Sequence, residues 1–179
     1  MNTKNMFYIL LMTAIVSCSP NKNTTIVSES LGADHSQWTE LLGNYVDDNG
    51  LVDYSGFQQD KEALLNYTRH LSENPPAESW NKNDQLAYWI NAYNAFTVLL
   101  IVDNYPIESI KDLNPSLTIP TIRSVWTKEW FKIGGKDFSL DQIEHQILRK
   151  EFDEPRIHFA INCASYSCPV LRGEAYYGI

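Results

Sequence analysis

Asn83-Asp84-Gln85-Leu86-Ala87-Tyr88-Trp89-Ile90-Asn91-Ala92-Tyr93-Asn94-Ala95-Phe96-Thr97-Val98-Leu99-Leu100-Ile101-Val102 is the stretch whose reading decides the fold. Its large apolar residues, from Leu86 through Trp89, Ile90, Tyr93 and Phe96 to Ile101, cover more than one helical face. Such a helix belongs in the interior rather than on the surface. The run therefore predicts a long central helix, stopped by Pro106, which has no N–H to offer. Asn91 and Asn94 interrupt it. A buried amide without a partner costs about 1–3 kcal/mol, so each should be paired. Tying down a neighbouring loop is the favoured role. Orienting His158 or donating to an oxyanion is the alternative.

On the amino-terminal side, His35 to Tyr45 spaces Trp38, Leu41, Leu42 and Tyr45 for an amphipathic helix. Asp48-Asn49-Gly50 breaks it with a tight turn. Leu51-Val52-Asp53-Tyr54 reads as a short strand, and Gln58 to Leu71 as a second helix ended by Asn74-Pro75-Pro76. On the carboxyl-terminal side, Ile107 to Leu113 reads as a turn of helix, and Pro115 and Pro120 mark a loop. Trp130 to Phe138 reads as a hairpin turning on Gly134-Gly135. Ser139-Leu140-Asp141-Gln142 resembles a capping box, opening a helix to about Lys150 with Leu140, Ile143 and Ile147 inward. Arg156 to Asn162 reads as a strand. The expected class is α+β: a helix-rich single domain with a long central helix and a small antiparallel sheet or hairpins. Residues 36–179 are enough to bury a real core.

Residues 1–17 read as a signal peptide rather than part of the fold. The apolar run Phe7 to Val16 is shorter than the about 20 residues a spanning helix needs. It ends Ile15-Val16-Ser17-Cys18, a pattern that resembles a bacterial lipoprotein signal, with Cys18 as the site of lipid attachment. Acyl chains contribute about 0.8 kcal/mol per buried CH₂, so a multiply acylated cysteine anchors stably without a spanning helix. Residues 18–35 are polar and read as a flexible tether. The expected location is the bacterial cell envelope, lipid-anchored and extracytoplasmic, with the membrane as a partner. A formal net charge of −8 argues against nucleic acid as a partner.

Outside the cytoplasm Cys163 and Cys168 are free to form a disulfide. Ser165-Tyr166 would have to turn the chain back. A loop so short gains only about 2 kcal/mol from closure. With His158 they also make a candidate nucleophilic site, since an imidazolium or a helix amino terminus depresses a thiol pKa. In one straight strand His158 and Cys163 point to opposite faces, so they meet only across a bend. For Cys168 as nucleophile the chain must reverse, and Pro169 would suit the first turn of a following helix. A hydrogen-bonded structural role for His158 stays open. The spacing matches no zinc pattern, so neither metal nor cofactor is expected. Glu144 and His145 form a second candidate pair. Asp141, His145 and Arg149 share a helical face at four-residue steps, whose default reading is a solvated surface.

Taken together, Tyr88-Trp89-Ile90-Asn91-Ala92-Tyr93-Asn94-Ala95, Tyr105-Pro106-Ile107-Glu108-Ser109-Ile110, Ser139-Leu140-Asp141-Gln142-Ile143-Glu144-His145 and the segment from Arg156 through His158, Cys163 and Cys168 to Pro169 resemble the family called domain of unknown function 547. The resemblance spans roughly Trp80 to Tyr176. It implies that Asn91, Glu144, His145, Arg149, His158, Asn162, Cys163, Ser167 and Cys168 occupy signature positions, with no settled activity. Family members continue past the Ser-Cys-Pro segment, which implies a chain extending beyond Ile179. Two functions are expected to compete. One is a thiol-dependent acyl-transfer or amide-hydrolysing enzyme, with Cys163 as nucleophile, His158 or His145 as base, and Asn162 or Asn91 as an orienting or oxyanion group. The other is a non-enzymatic binding or scaffold domain with a Cys163–Cys168 disulfide and an unknown small-molecule, peptide or protein partner.

Overall fold

The computed structural model describes residues 32–114, 124–165 and 167–178. Cys18, the signal segment, most of the tether, the Pro115 to Pro120 loop and Tyr166 lie outside the described residues. The chain forms α1 (Ser36–Tyr45), α2 (Tyr54–Gln59), α3 (Lys61–Glu73) and α4 (Lys82–Asn104). A 3₁₀ turn (Ile110–Leu113) and a hairpin of β1 (Phe131–Ile133) and β2 (Lys136–Phe138) follow. A π-helix (Gln142–Leu148), α5 (Arg149–Glu151) and α6 (Ile157–Ala160) complete it. The class is the helix-rich α+β domain expected.

α4 is the axle. Asn81 caps it, its side chain accepting from the Asp84 N–H at 2.8 Å. Every residue from Ile90 to Val102 is buried. By length and composition the helix could cross a bilayer, yet 89% of its most apolar window is inside the protein. Helices α2 and α3 and the π-helix pack around it. Trp38 of α1 stacks on Tyr67 of α3 with ring centroids 5.4 Å apart, and the Tyr88 hydroxyl donates to the Leu71 carbonyl at 2.6 Å.

The antiparallel hairpin pairs Phe131 with Phe138 and turns on Gly134 (φ 58°) and Gly135 (φ 78°). Phe131 stacks on Phe96 at 3.9 Å, and the Gly134 N–H donates to the Ser72 carbonyl, fixing the hairpin across α3 and α4.

Four local expectations change. The strand at Leu51 to Tyr54 shrinks to one Val46–Val52 bridge, because Asp53 accepts from the Gly56 N–H at 2.9 Å and starts α2 at Tyr54. The helix expected from Gln58 is therefore two helices meeting at Asp60. Arg156 to Asn162 is not a strand. Glu154 accepts from the Arg156 N–H at 2.9 Å, and the carbonyls of Glu154, Pro155 and Arg156 take the next N–H groups, winding α6. The chain extends only from Ile161 (φ −103°, ψ 133°). A short apolar run cannot be assigned to strand or helix by periodicity alone.

The helix after Ser139 keeps its capping box: the Ser139 N–H donates to Gln142 Oε1 at 2.8 Å, and the Gln142 N–H to Ser139 Oγ at 3.2 Å. Its wider π winding moves the buried stripe to Leu140, Ile143 and Leu148, leaving Ile147 half-buried.

Candidate functional site

Two amides on α4 position the carboxyl-terminal third of the chain. Asn94, 2% exposed, donates through Nδ2 to the Ala160 carbonyl (2.9 Å) and accepts from the Asn162 N–H (2.9 Å). Asn91, fully buried, donates to the Tyr176 carbonyl (2.7 Å) and accepts from the Tyr176 N–H (2.9 Å). Each side chain thus stands in for a strand neighbour, satisfying a peptide that has no sheet partner. Their oxygens and one N–H each are occupied in these loop contacts.

Asn94 holds Asn162, and Asn162 holds the cysteine loop. The Asn162 amide donates to the Pro169 carbonyl at 2.7 Å and accepts from the Ala164 N–H at 2.8 Å. Ala164 takes a left-handed φ of 57°, and the Cys168 N–H donates to the Ser165 carbonyl at 2.9 Å. Cys163 and Cys168 are joined by a disulfide across Cα atoms 6.1 Å apart. Both are half-buried. Pro169 opens no helix; the chain from Pro169 to Arg172 is irregular.

His158 lies on α6, exposed, its ring 5.2 Å from the Phe159 ring. Its side chain makes no hydrogen bond or ion pair among the described residues. Glu144 and His145 lie on the π-helix. The Arg149 N–H donates to the Glu144 carbonyl in the i→i+5 pattern of a π turn. That winding brings the Arg149 guanidinium onto Glu144 Oε1, through Nη2 at 2.8 Å and Nε at 3.0 Å. Glu144 also acts on Tyr93 of α4, whose phenol pKa is pushed up by burial first and by the Glu144 charge second. His145 is left with Asp141 at 3.8 Å on an exposed face. The polar partners of Glu144 and His145 are therefore Arg149, Tyr93 and Asp141, none of them in the cysteine loop.

A sizeable cavity lies elsewhere. A cleft of about 610 Å³ opens between the first half of α4, α6 and the segment around Ala175. Leu86, Ile90, Ile157, Ala160 and Ala175 give it apolar walls, with Phe159 and Tyr177 at 69% and 51% exposure. Ion pairs Glu154–Arg156 and Arg172–Glu174 border it. Arg156 holds the Glu154 carboxyl down at about 2. Neither cysteine, nor His158, His145, Glu144 or Asn91, lines it. The cleft residues escaped sequence reading because they come from three separate segments. The one usable signal was Asn91, whose need for a partner pointed to a segment folding back over α4.

Among the described residues no three His, Cys, Asp or Glu side chains cluster as metal ligands. No curated protein and no solved structure matches the chain. A family model described as "Protein of unknown function, DUF547" matches residues 77–178, from before α4 through the cysteine loop to the Asn91-held segment. The match covers more than half of the chain and all four ordered motifs, so this protein belongs to the DUF547 family.

Proposed function

We propose that this domain is a membrane-tethered binding module whose ligand site is the α4–α6 cleft, with the Cys163–Cys168 disulfide as a structural closure. The observation that carries the reading is the cleft itself. Its volume of about 610 Å³ falls within the range of about 300–1,000 Å³ typical of small-molecule sites, with apolar walls and a few charged groups at the mouth. The two buried asparagines hold two of its walls, at Ala160 and Tyr176. The disulfide supports a structural role for the loop, since bonded sulfurs offer no thiolate to attack a carbonyl.

The test is protein-observed NMR with a small apolar fragment set. Shift changes should gather on Ile90, Ile157, Ala160 and Ala175. Changes gathering instead around His158 and Cys163 would overturn the assignment of the site.

The tether belongs to the same proposal, supported by the Phe7 to Val16 apolar run and the Ile15-Val16-Ser17-Cys18 pattern. Metabolic labelling with an alkynyl fatty acid should mark the wild-type chain in a bacterial host. Cys18→Ser should lose the mark entirely. Equal labelling of both would refute anchoring at Cys18.

A further inference from the structure

The cleft has a polar neighbour. Ala87 and Tyr177, which line it, also line a second cavity of about 210 Å³ whose other walls include Gly32, His35, Asp84 and Gly178. Asp84 is only 8% exposed, and its Oδ2 has no hydrogen-bond partner. An orphaned carboxylate oxygen in such a place is costly, and its presence calls for a missing donor or cation.

Among the described residues no side chain supplies that cation. Lys82 sits over the Phe152 ring at 5.2 Å, and Arg172 lies over Tyr176 while pairing with Glu174. His35 has its Nδ1 engaged by the Tyr67 hydroxyl at 2.8 Å, and burial keeps its imidazole neutral near pH 7. Asp84 lies in the first turn of α4, at the positive end of the helix dipole. The result is a buried carboxylate beside an apolar cleft. The net charge of −8 favours the approach of cations.

We propose that the two cavities form one site for an apolar molecule bearing a primary amine, its body in the α4–α6 cleft and its ammonium donating to Asp84 Oδ2. This rests on the cleft being the ligand site. An ammonium supplies both the charge and the N–H that the orphaned oxygen lacks, and charge-assisted hydrogen bonds are the stronger kind. Ala87, a small side chain, stands at the boundary that the two spaces share.

The experiment compares decylamine, decanol and decanoate by calorimetry against the full-length chain, below their micelle concentrations at neutral pH. Decylamine should bind about tenfold tighter than decanol, the gain of one charge-assisted contact, and decanoate weakest. Asp84→Asn should bring the amine down to the level of the alcohol and leave the alcohol unchanged. The wild-type ranking needs no variant, so it stands even if Asp84→Asn unsettles α4. Equal binding of all three, as expected if only water occupies the small cavity, would overturn the amine assignment and leave the cleft intact. Preference for decanoate would do the same. Binding of none would remove the cleft reading as well.

Discussion

Asn94→Leu, a nearly isosteric change in α4, should lower the unfolding free energy by about 2–4 kcal/mol. The leucine fits the volume and gains apolar contact, so the loss comes from what it abandons. The Ala160 carbonyl and the Asn162 N–H would each lose their 2.9 Å partner. An unsatisfied buried group costs about 1–3 kcal/mol, less where water reaches it, and both peptides are half-buried. Thr97→Val is the control. Its hydroxyl bonds only the Tyr93 carbonyl of the same helix, so the change should cost well under half as much. Urea midpoints at a constant m-value measure both. Asn94→Leu should also raise amide exchange at Asn162 and loosen the cysteine loop. Equal, small losses for the two variants would mean that α4 does not organise the site.

The second large effect is on acid stability, through His35. Its pKa is lowered to about 4, chiefly by burial and secondarily by the charge of His70, with Asp34 opposing. In the unfolded chain the group titrates near 6.5. Between these values the unfolded state takes up a proton that the folded state refuses. Stability is therefore complete above about pH 6.5 and falls as the pH drops toward 4. The whole window is worth about 3 kcal/mol, and about 2 of it is lost between roughly pH 7 and pH 5. The loss to about pH 5 precedes most carboxylate titration, which isolates the histidine. His35→Gln keeps a polar group toward Tyr67 and removes the proton uptake. Its urea midpoint should change much less across that interval than the wild type's. Parallel profiles would show that His35 does not carry the acid sensitivity.

What the sequence disclosed follows from how local each signal is. α4 was legible because residues from Leu86 to Ile101 are apolar around the whole helix, which only an interior position tolerates. The hairpin was legible because Gly134 and Gly135 supply the positive φ its turn requires. The need of Asn91 and Asn94 for partners was legible, but not which peptides they would serve. α6 was misread because Ile157, Phe159 and Ile161 alternate as in a strand, while the Glu154 side chain and the Pro155 turn wind the chain first. The π-helix was hidden because one extra residue per turn leaves no compositional mark. It appears only as the shift of burial from Ile147 to Leu148 and the Glu144–Arg149 contact.

The candidate site divided in the same way. Cys163 and Cys168 were visible as a pair able to close, and they are closed. His158 drew notice through its nearness in sequence to Cys163. The turn of α6 leaves its side chain in solvent, without a hydrogen bond among the described residues. The cleft offered only the partner requirement of Asn91 as a signal, because Leu86, Ile157 and Ala175 come from separate segments that Asn91 and Asn94 hold against α4.

The disulfide makes the cysteine segment a closed loop, and the proposed recognition site lies apart from it in the cleft. Iodoacetamide treatment of the non-reduced chain near neutral pH, read by intact mass and peptide mapping, tests it most directly. Cys163 and Cys168 should be unlabelled and linked, the peptide two hydrogens lighter than its dithiol form, with both labelled only after reduction. Rapid labelling of Cys163 without reductant, abolished by His158→Ala, would contradict it and establish a thiolate nucleophile in this loop.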